Sequence, residues 1–146
     1  MDIREPRRYR RWGSFPTTAD MGVRASASDV AGLYEALGLG LFALITDLRT
    51  VRAREERVVT ASAEDPEGLA VAFLSQLLLL QQTEGFLVRD LHVRPVGSPP
   101  TSLLATAFGE RFDPARHPAR IEVKAVTMHR LSVDLIERRA RVIVDI

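Results

Sequence analysis

An α+β fold, with two helices packed on a mainly antiparallel multi-stranded sheet in a two-layer domain, is predicted by three features of this sequence. Apolar residues recur at helical spacing in two segments, one between Val30 and Ile45 and the other between Leu69 and Leu80. From Gly85 onward the chain is dominated by alternating runs that suit strands. Between two of those runs stands Gly97-Ser98-Pro99-Pro100, the composition of a hairpin turn. At 146 residues the chain is expected to form a single domain over 1–146, with residues 1–8 as a basic N-terminal arm.

Arg8–Phe15 and Met21–Ala27 read as two short strands joined by a turn over Pro16–Asp20. A helix is expected from near Ser28, with Ser28 and the Ser26-x-x-Asp29 pattern both offering caps. Its Val30, Leu33, Leu37, Leu41, Leu44 and Ile45 share one face. Gly32, Gly38 and Gly40 each weaken this helix by about 1 kcal/mol relative to alanine. Close packing against a sheet explains them better than a phosphate loop, because Gly38-Leu39-Gly40 lacks the rest of a dinucleotide fingerprint. Arg57–Ala63 alternates as a strand. A second helix starts at Asp65, with Pro66 at its first position and Glu67 in its first turn. Its Leu77–Leu80 run is apolar all round and predicts burial on more than one side. Phe86–Val96 and Thr101–Gly109 form the hairpin, Glu110–Arg120 a loop, and Ile121–Met128, Leu131–Glu137 and Ala140–Asp145 further strands.

Composition excludes several chemistries. With no cysteine there is no disulfide, zinc-thiolate site or cysteine nucleophile. The 20 Lys+Arg balance 19 Asp+Glu, so whole-chain charge favours neither nucleic acid nor membrane. Lys124 is the only lysine, and the arginine usage reads as a GC-rich genome or a thermophile. The apolar stretch at Leu37–Ile45 is far shorter than the ~20 residues that span a bilayer, and Met1–Pro6 lacks a signal-peptide core. A cytoplasmic location is the default expectation.

Candidate chemistry lies in carboxylates. His92, His117 and His129 are scattered and read as surface or hydrogen-bonding residues, and no serine sits in a nucleophile elbow. Asp20 occupies the turn between the first two strands. Asp47 follows the first helix at the end where the macrodipole disfavours an anion, so it needs a cation, a donor or a cap role. Asp145 is penultimate, and the sequence closes at Ile146 with a free carboxylate. Strand alternation sets Ala140, Val142, Val144 and Ile146 on one face, where burial of Ile146 is expected to anchor the end, and Arg141, Ile143 and Asp145 on the other. The Asp145 side chain with main-chain or terminal oxygens of Ile146 makes either a hard-cation site for Ca²⁺ or Mg²⁺ or an ordinary solvated chain end. Arg4, Arg7, Arg8, Arg10 and Arg11, interleaved with Tyr9 and Trp12, suit either an RNA-gripping arm or a charged sheet edge, with the edge favoured.

Several blocks, in order, resemble the archease family: Thr18–Ala25, Leu44-Ile45-Thr46-Asp47, Leu77–Leu80 with Thr83-Glu84-Gly85-Phe86, Gly109–Asp113, His117-Pro118 with Glu122–His129, and Arg141–Ile146. Together they cover nearly all of the chain from Trp12. The resemblance implies a small α+β cytosolic protein that is not itself an enzyme. Its implied partner is the RtcB-type tRNA-splicing ligase, which uses GTP to join an RNA 3′-phosphate or cyclic phosphate end to a 5′-hydroxyl end. The implied role is to promote guanylylation of that ligase's histidine and so multiple turnover, with tRNA or broken RNA met through the ligase. The family's metal site carries over onto Asp20, Asp145 and Ile146, with calcium expected and Mg²⁺ or Mn²⁺ as alternatives. Two positions depart: Thr17 stands where a histidine is frequent, and Met128 where tyrosine is frequent. The rival readings are a metal-dependent phosphoryl hydrolase, which lacks an evident base or phosphate clamp, and an RNA- or protein-binding chaperone working through the Arg4–Trp12 arm.

Overall fold

The computed structural model describes residues 8–146, so Arg4, Arg7 and most of the expected arm lie outside the described residues. Two antiparallel strands, β1 (Arg10–Pro16) and β2 (Met21–Ala27), open the fold. They lead into helix α1 (Val30–Ile45), a 3₁₀ turn at Leu48–Thr50, strand β3 (Glu55–Ser62) and helix α2 (Pro66–Glu84). Strands β4 (Phe86–Gly97), β5 (Pro100–Arg111), β6 (Ala125–Asp134) and β7 (Arg139–Asp145) complete it. The α+β class with two helices and antiparallel strands matches the expectation, and the strands divide between two sheets, β1-β2-β7-β6 and β3-β5-β4.

Helix α1 explains that division. One apolar face was expected, yet Leu33, Tyr34, Leu37, Leu39, Leu41 and Phe42 are all fully buried and surround the axis. A helix apolar all round needs cover on all sides. A methyl on Gly38 would meet Leu91 of β4 and Leu77 of α2, whereas one on Gly40 would meet Val23 of β2 and Trp12 of β1. These two glycines therefore let α1 approach both sheets. Capping is done by Asp29, whose carboxylate accepts from the Gly32 N–H at 2.6 Å, and Ser28 instead bonds to Tyr9. In α2, Asp65 caps Gly68, Pro66 opens the first turn and Gly85 closes the helix at φ 68°. Leu77 and Leu78 are buried as expected, while Leu79 remains 49% exposed.

The C-terminal half differs from the expectation in two respects. Ile121–Lys124 is not strand: the Ile121 N–H and that of Arg120 before it cap the Leu44 and Ile45 carbonyls left open at the end of α1, and pairing with β7 begins only at Lys124. The expected strands Ile121–Met128 and Leu131–Glu137 are instead a single β6, irregular between Thr127 and Ser132, with Arg130 at φ 53°. No helix among the described residues is long and apolar enough to cross a membrane.

Candidate functional site

The strand order of the larger sheet brings the start of β2 beside the end of β7. Met21 pairs with Val144, and Asp20 and Asp145 are the next residues along from that pair, Asp20 in the turn before β2 and Asp145 at the end of β7. On its other side Asp145 pairs with Ala125, and its carbonyl accepts from the Lys124 N–H at 2.8 Å. The turn that presents Asp20 is closed by Thr17, whose amide donates to the Asp20 carbonyl and whose hydroxyl accepts from the Asp20 N–H, both at 3.0 Å. A histidine is thus not required at position 17 to shape this turn. Among the described residues neither the Asp20 nor the Asp145 carboxylate has a side-chain hydrogen bond or ion pair, although Asp20 is only partly exposed.

Carboxylates without a cationic partner at one end of a sheet attract a cation, and an all-oxygen donor set suits a hard one. Among the described residues no three His, Asp or Glu side chains cluster as a metal cage, so a cation here would draw its remaining ligands from main-chain oxygens and water. The oxygens of Ile146 adjoin Asp145 in sequence. The expected burial of Ile146 is corrected by the structure: its side chain is 42% exposed, because it lies one residue beyond the end of β7.

The other sequence candidates are structural. Asp47 caps the 3₁₀ turn through the Arg49 N–H and pairs with the guanidinium groups of Arg49 and Arg120. The Arg49 side chain and backbone donors hold its carboxyl down at about 2. From the arm, Arg8 and Arg10 both bind Glu35, a carboxylate buried inside α1, and Arg10 also binds Asp90. Those two arginines serve the fold, a use that neither the RNA-arm nor the solvated-edge reading foresaw. His92 and His129 are exposed.

The hydrogen-bonding alternative holds for His117, which is 2% exposed, although its buried partner could not be named from sequence. Its Nδ1 accepts from the Asp113 N–H, so its Nε2–H donates to Glu110 at 2.9 Å. Glu110 also receives the Arg52 N–H and the Arg116 guanidinium. Burial alone would raise its carboxyl; the donors from Arg116, Arg52 and His117 outweigh that and hold it at about 2, against an ordinary value of 4.5. A depressed folded value means this anchor stabilises fully above pH 4.5 and is lost as pH falls towards about 2. In thermal melts from pH 7 to 3, Glu110→Gln should therefore show a smaller acid-induced fall in Tm than the parent. An equal fall would place the acid sensitivity elsewhere.

Residues 12–146 match the model of the Archease protein family (MTH1598/TM1083). The chain belongs to the archease family. It is 40% identical to the protein archease of Thermococcus gammatolerans over 126 residues, covering 86% of this chain and 89% of the relative. It is 36% identical to that of Methanothermobacter thermautotrophicus over 137 residues, covering 90% and 96%. The fold is similar to the solution structure of Methanobacterium thermoautotrophicum protein 1598, at TM-score 0.74 and 32% identity over 92% of this chain and 98% of that one. Archease membership spans the whole region that carries Asp20, Asp145 and Ile146. Of the two positions that depart from the family's frequent residues, Thr17 closes the Asp20 turn and Met128 is 63% exposed.

Proposed function

We propose that this protein is a non-catalytic cofactor of an RtcB-type RNA ligase that promotes guanylylation of the ligase and its repeated turnover. The observation that carries the reading is archease membership over residues 12–146, together with a register that gathers Asp20 and Asp145 at one sheet end. These two carboxylates, with oxygens of Ile146, would hold a divalent cation, calcium first and Mg²⁺ or Mn²⁺ next. Bound there, the cation would supply positive charge beside the nucleotide phosphates of the ligase. The chain's own part is positional: the Thr17 turn fixes Asp20, and the β6 pairing at Ala125 fixes Asp145.

The test uses broken RNA with cyclic-phosphate and 5′-hydroxyl ends, GTP, Mn²⁺ and a limiting amount of ligase. Adding this protein should raise the number of joins per ligase, and the protein alone should leave the ends untouched. Calorimetric Ca²⁺ titration of Asp20→Ala and Asp145→Asn should show at least about a tenfold loss of affinity, the size of loss that even outer-shell changes cause at metal sites. Their stability should stay within about 0.5 kcal/mol of the parent, as expected of surface substitutions. Ligation or cleavage by the protein alone would overturn the cofactor reading, and unchanged Ca²⁺ affinity in both variants would remove the metal from it.

A further inference from the structure

The face of the larger sheet turned away from the helices carries charge that the fold does not use. Register places Arg11, Ser26 and Arg139 in one row across β1, β2 and β7, and Gly13, Arg24 and Arg141 in the next. Residues directly opposite in antiparallel strands point to the same side, so four arginines share this face. They line an open groove of about 690 Å³, whose floor is kept low by glycine: the Arg24 side chain lies across Gly13, and the Phe15 ring covers Gly22.

The chain as a whole is nearly neutral at +1, so this clustering is a segregation of charge and not an excess of it. Among the described residues no carboxylate pairs with Arg11, Arg24 or Arg141; Arg11 stacks on Tyr9 and Arg141 donates to the Arg130 carbonyl. Arg139 makes one contact, 3.7 Å to Glu137, with both side chains more than half exposed. Asp134, at the far end of the first row, is turned to the Ile136 and Glu137 amides. Four exposed guanidiniums on one sheet face, three of them without a carboxylate partner among the described residues and the fourth held only by the exposed Glu137, form an anion surface. An open trough crossing three strands has no walls to enclose a small anion, and it suits an extended polyanion. The partly exposed Phe15 ring and the Tyr9–Arg11 stack add flat surfaces against which bases can lie.

We propose that this face binds single-stranded RNA, with Arg11, Arg24, Arg139 and Arg141 on the phosphodiester backbone. Arg141 and Asp145 stand on the same side of β7, four residues or about 13 Å apart, so a strand lying in the groove runs towards the Asp20–Asp145 carboxylates. That the strand is RNA rests on the proposed ligase role; that it is a nucleic-acid backbone rests on the groove alone.

Fluorescence anisotropy of a labelled twelve-nucleotide RNA with the purified full chain, without ligase, tests this directly. At 50 mM salt the chain should bind, and log affinity should fall with log salt at a slope of roughly −2 to −3, as about four phosphate contacts to a single strand require. Arg24→Ala/Arg141→Ala should weaken binding at least about tenfold and flatten that slope by about 1.4. Arg94→Ala, on an exposed site of β4 outside the groove, should bind like the parent, and melts of all variants should coincide with it. No binding at 50 mM salt, or equal binding by the double variant, overturns the proposal. Tighter binding of DNA of the same sequence overturns the assignment to RNA, and displacement of the RNA by polyglutamate at equal charge reassigns the face to an acidic protein. The ligase assay is separate: a chain that binds RNA through these arginines but fails to stimulate the ligase loses the cofactor role and keeps the groove.

Discussion

Glu35→Ala should destabilise the protein by about 3 kcal/mol, read from urea or thermal unfolding at pH 7. Glu35 is fully buried in the second turn of α1, where a carboxylate has no access to water. Its Oε1 receives Arg8 at 2.7 Å and Arg10 at 3.1 Å, and its Oε2 receives the Val93 N–H at 2.8 Å. Arg8 is half exposed and can turn to water or keep Asp29, and Arg10 keeps Asp90. The loss therefore falls at the low end of the roughly 3–5 kcal/mol that follows removal of one partner from a buried pair. Val93 has no such alternative, because it is 3% exposed and its amide is orphaned; a buried unmet donor accounts for about 1–3 kcal/mol of the total. Glu35→Gln keeps the volume and an acceptor for Val93, so it should cost less than Glu35→Ala. If the two variants lose the same amount, the Val93 bond is not what Glu35 contributes.

Glu35 and Arg10 also show why parts of this molecule could be read from sequence and others could not. The Asp65-Pro66 helix start, the Gly97–Pro100 turn and the α2 face are set by residues within a few positions of one another. Local chemistry of that kind survives without knowledge of the fold. The glycines of α1 announced close packing, and the structure adds only which sheet each one meets. Strand alternation spoke only to Asp145 and Ile146, and Asp20 joined them by resemblance; the β2–β7 register places the start of β2 and the end of β7 side by side. What stayed hidden depends on contacts distant in sequence. Glu35 finds Val93 58 positions away, and Glu110 finds the Arg52 amide at the same separation. The arginine groove joins positions 11 and 24 to 139 and 141, and only the strand order β1-β2-β7 makes them one surface. Ile121–Lys124 alternates like a strand and is not one, since the Ile121 amide, with that of Arg120 before it, is drawn to the open end of α1.

Gly109→Ala should be comparably damaging, about 3 kcal/mol, although it adds one methyl group to a central strand. Gly109 pairs with Glu55 of β3 and with Val88 of β4, and the β4 register slips between Val88 and Asp90. That slip brings the Leu87 main-chain carbonyl against the Gly109 Cα, so a Cβ there would be built onto backbone, with the Phe86 ring also 3.2 Å away. Backbone in the middle of a three-stranded sheet cannot rotate aside as a side-chain tip can. The strand must shift, and the shift is passed to Glu110, whose carboxylate holds Arg52, Arg116 and His117. Gly38→Ala is the internal comparison, since the first atom met there is the tip of Leu91, which can move. Helix propensity also returns about 1 kcal/mol to alanine at that position, so Gly38→Ala should cost clearly less. Hydrogen exchange separates the two outcomes: in Gly109→Ala the Arg52 amide should lose protection along with β4 and β5, whereas in Gly38→Ala it should remain protected. Retained protection of Arg52 in a stable Gly109→Ala protein would show that the sheet accommodates the methyl without disturbing Glu110.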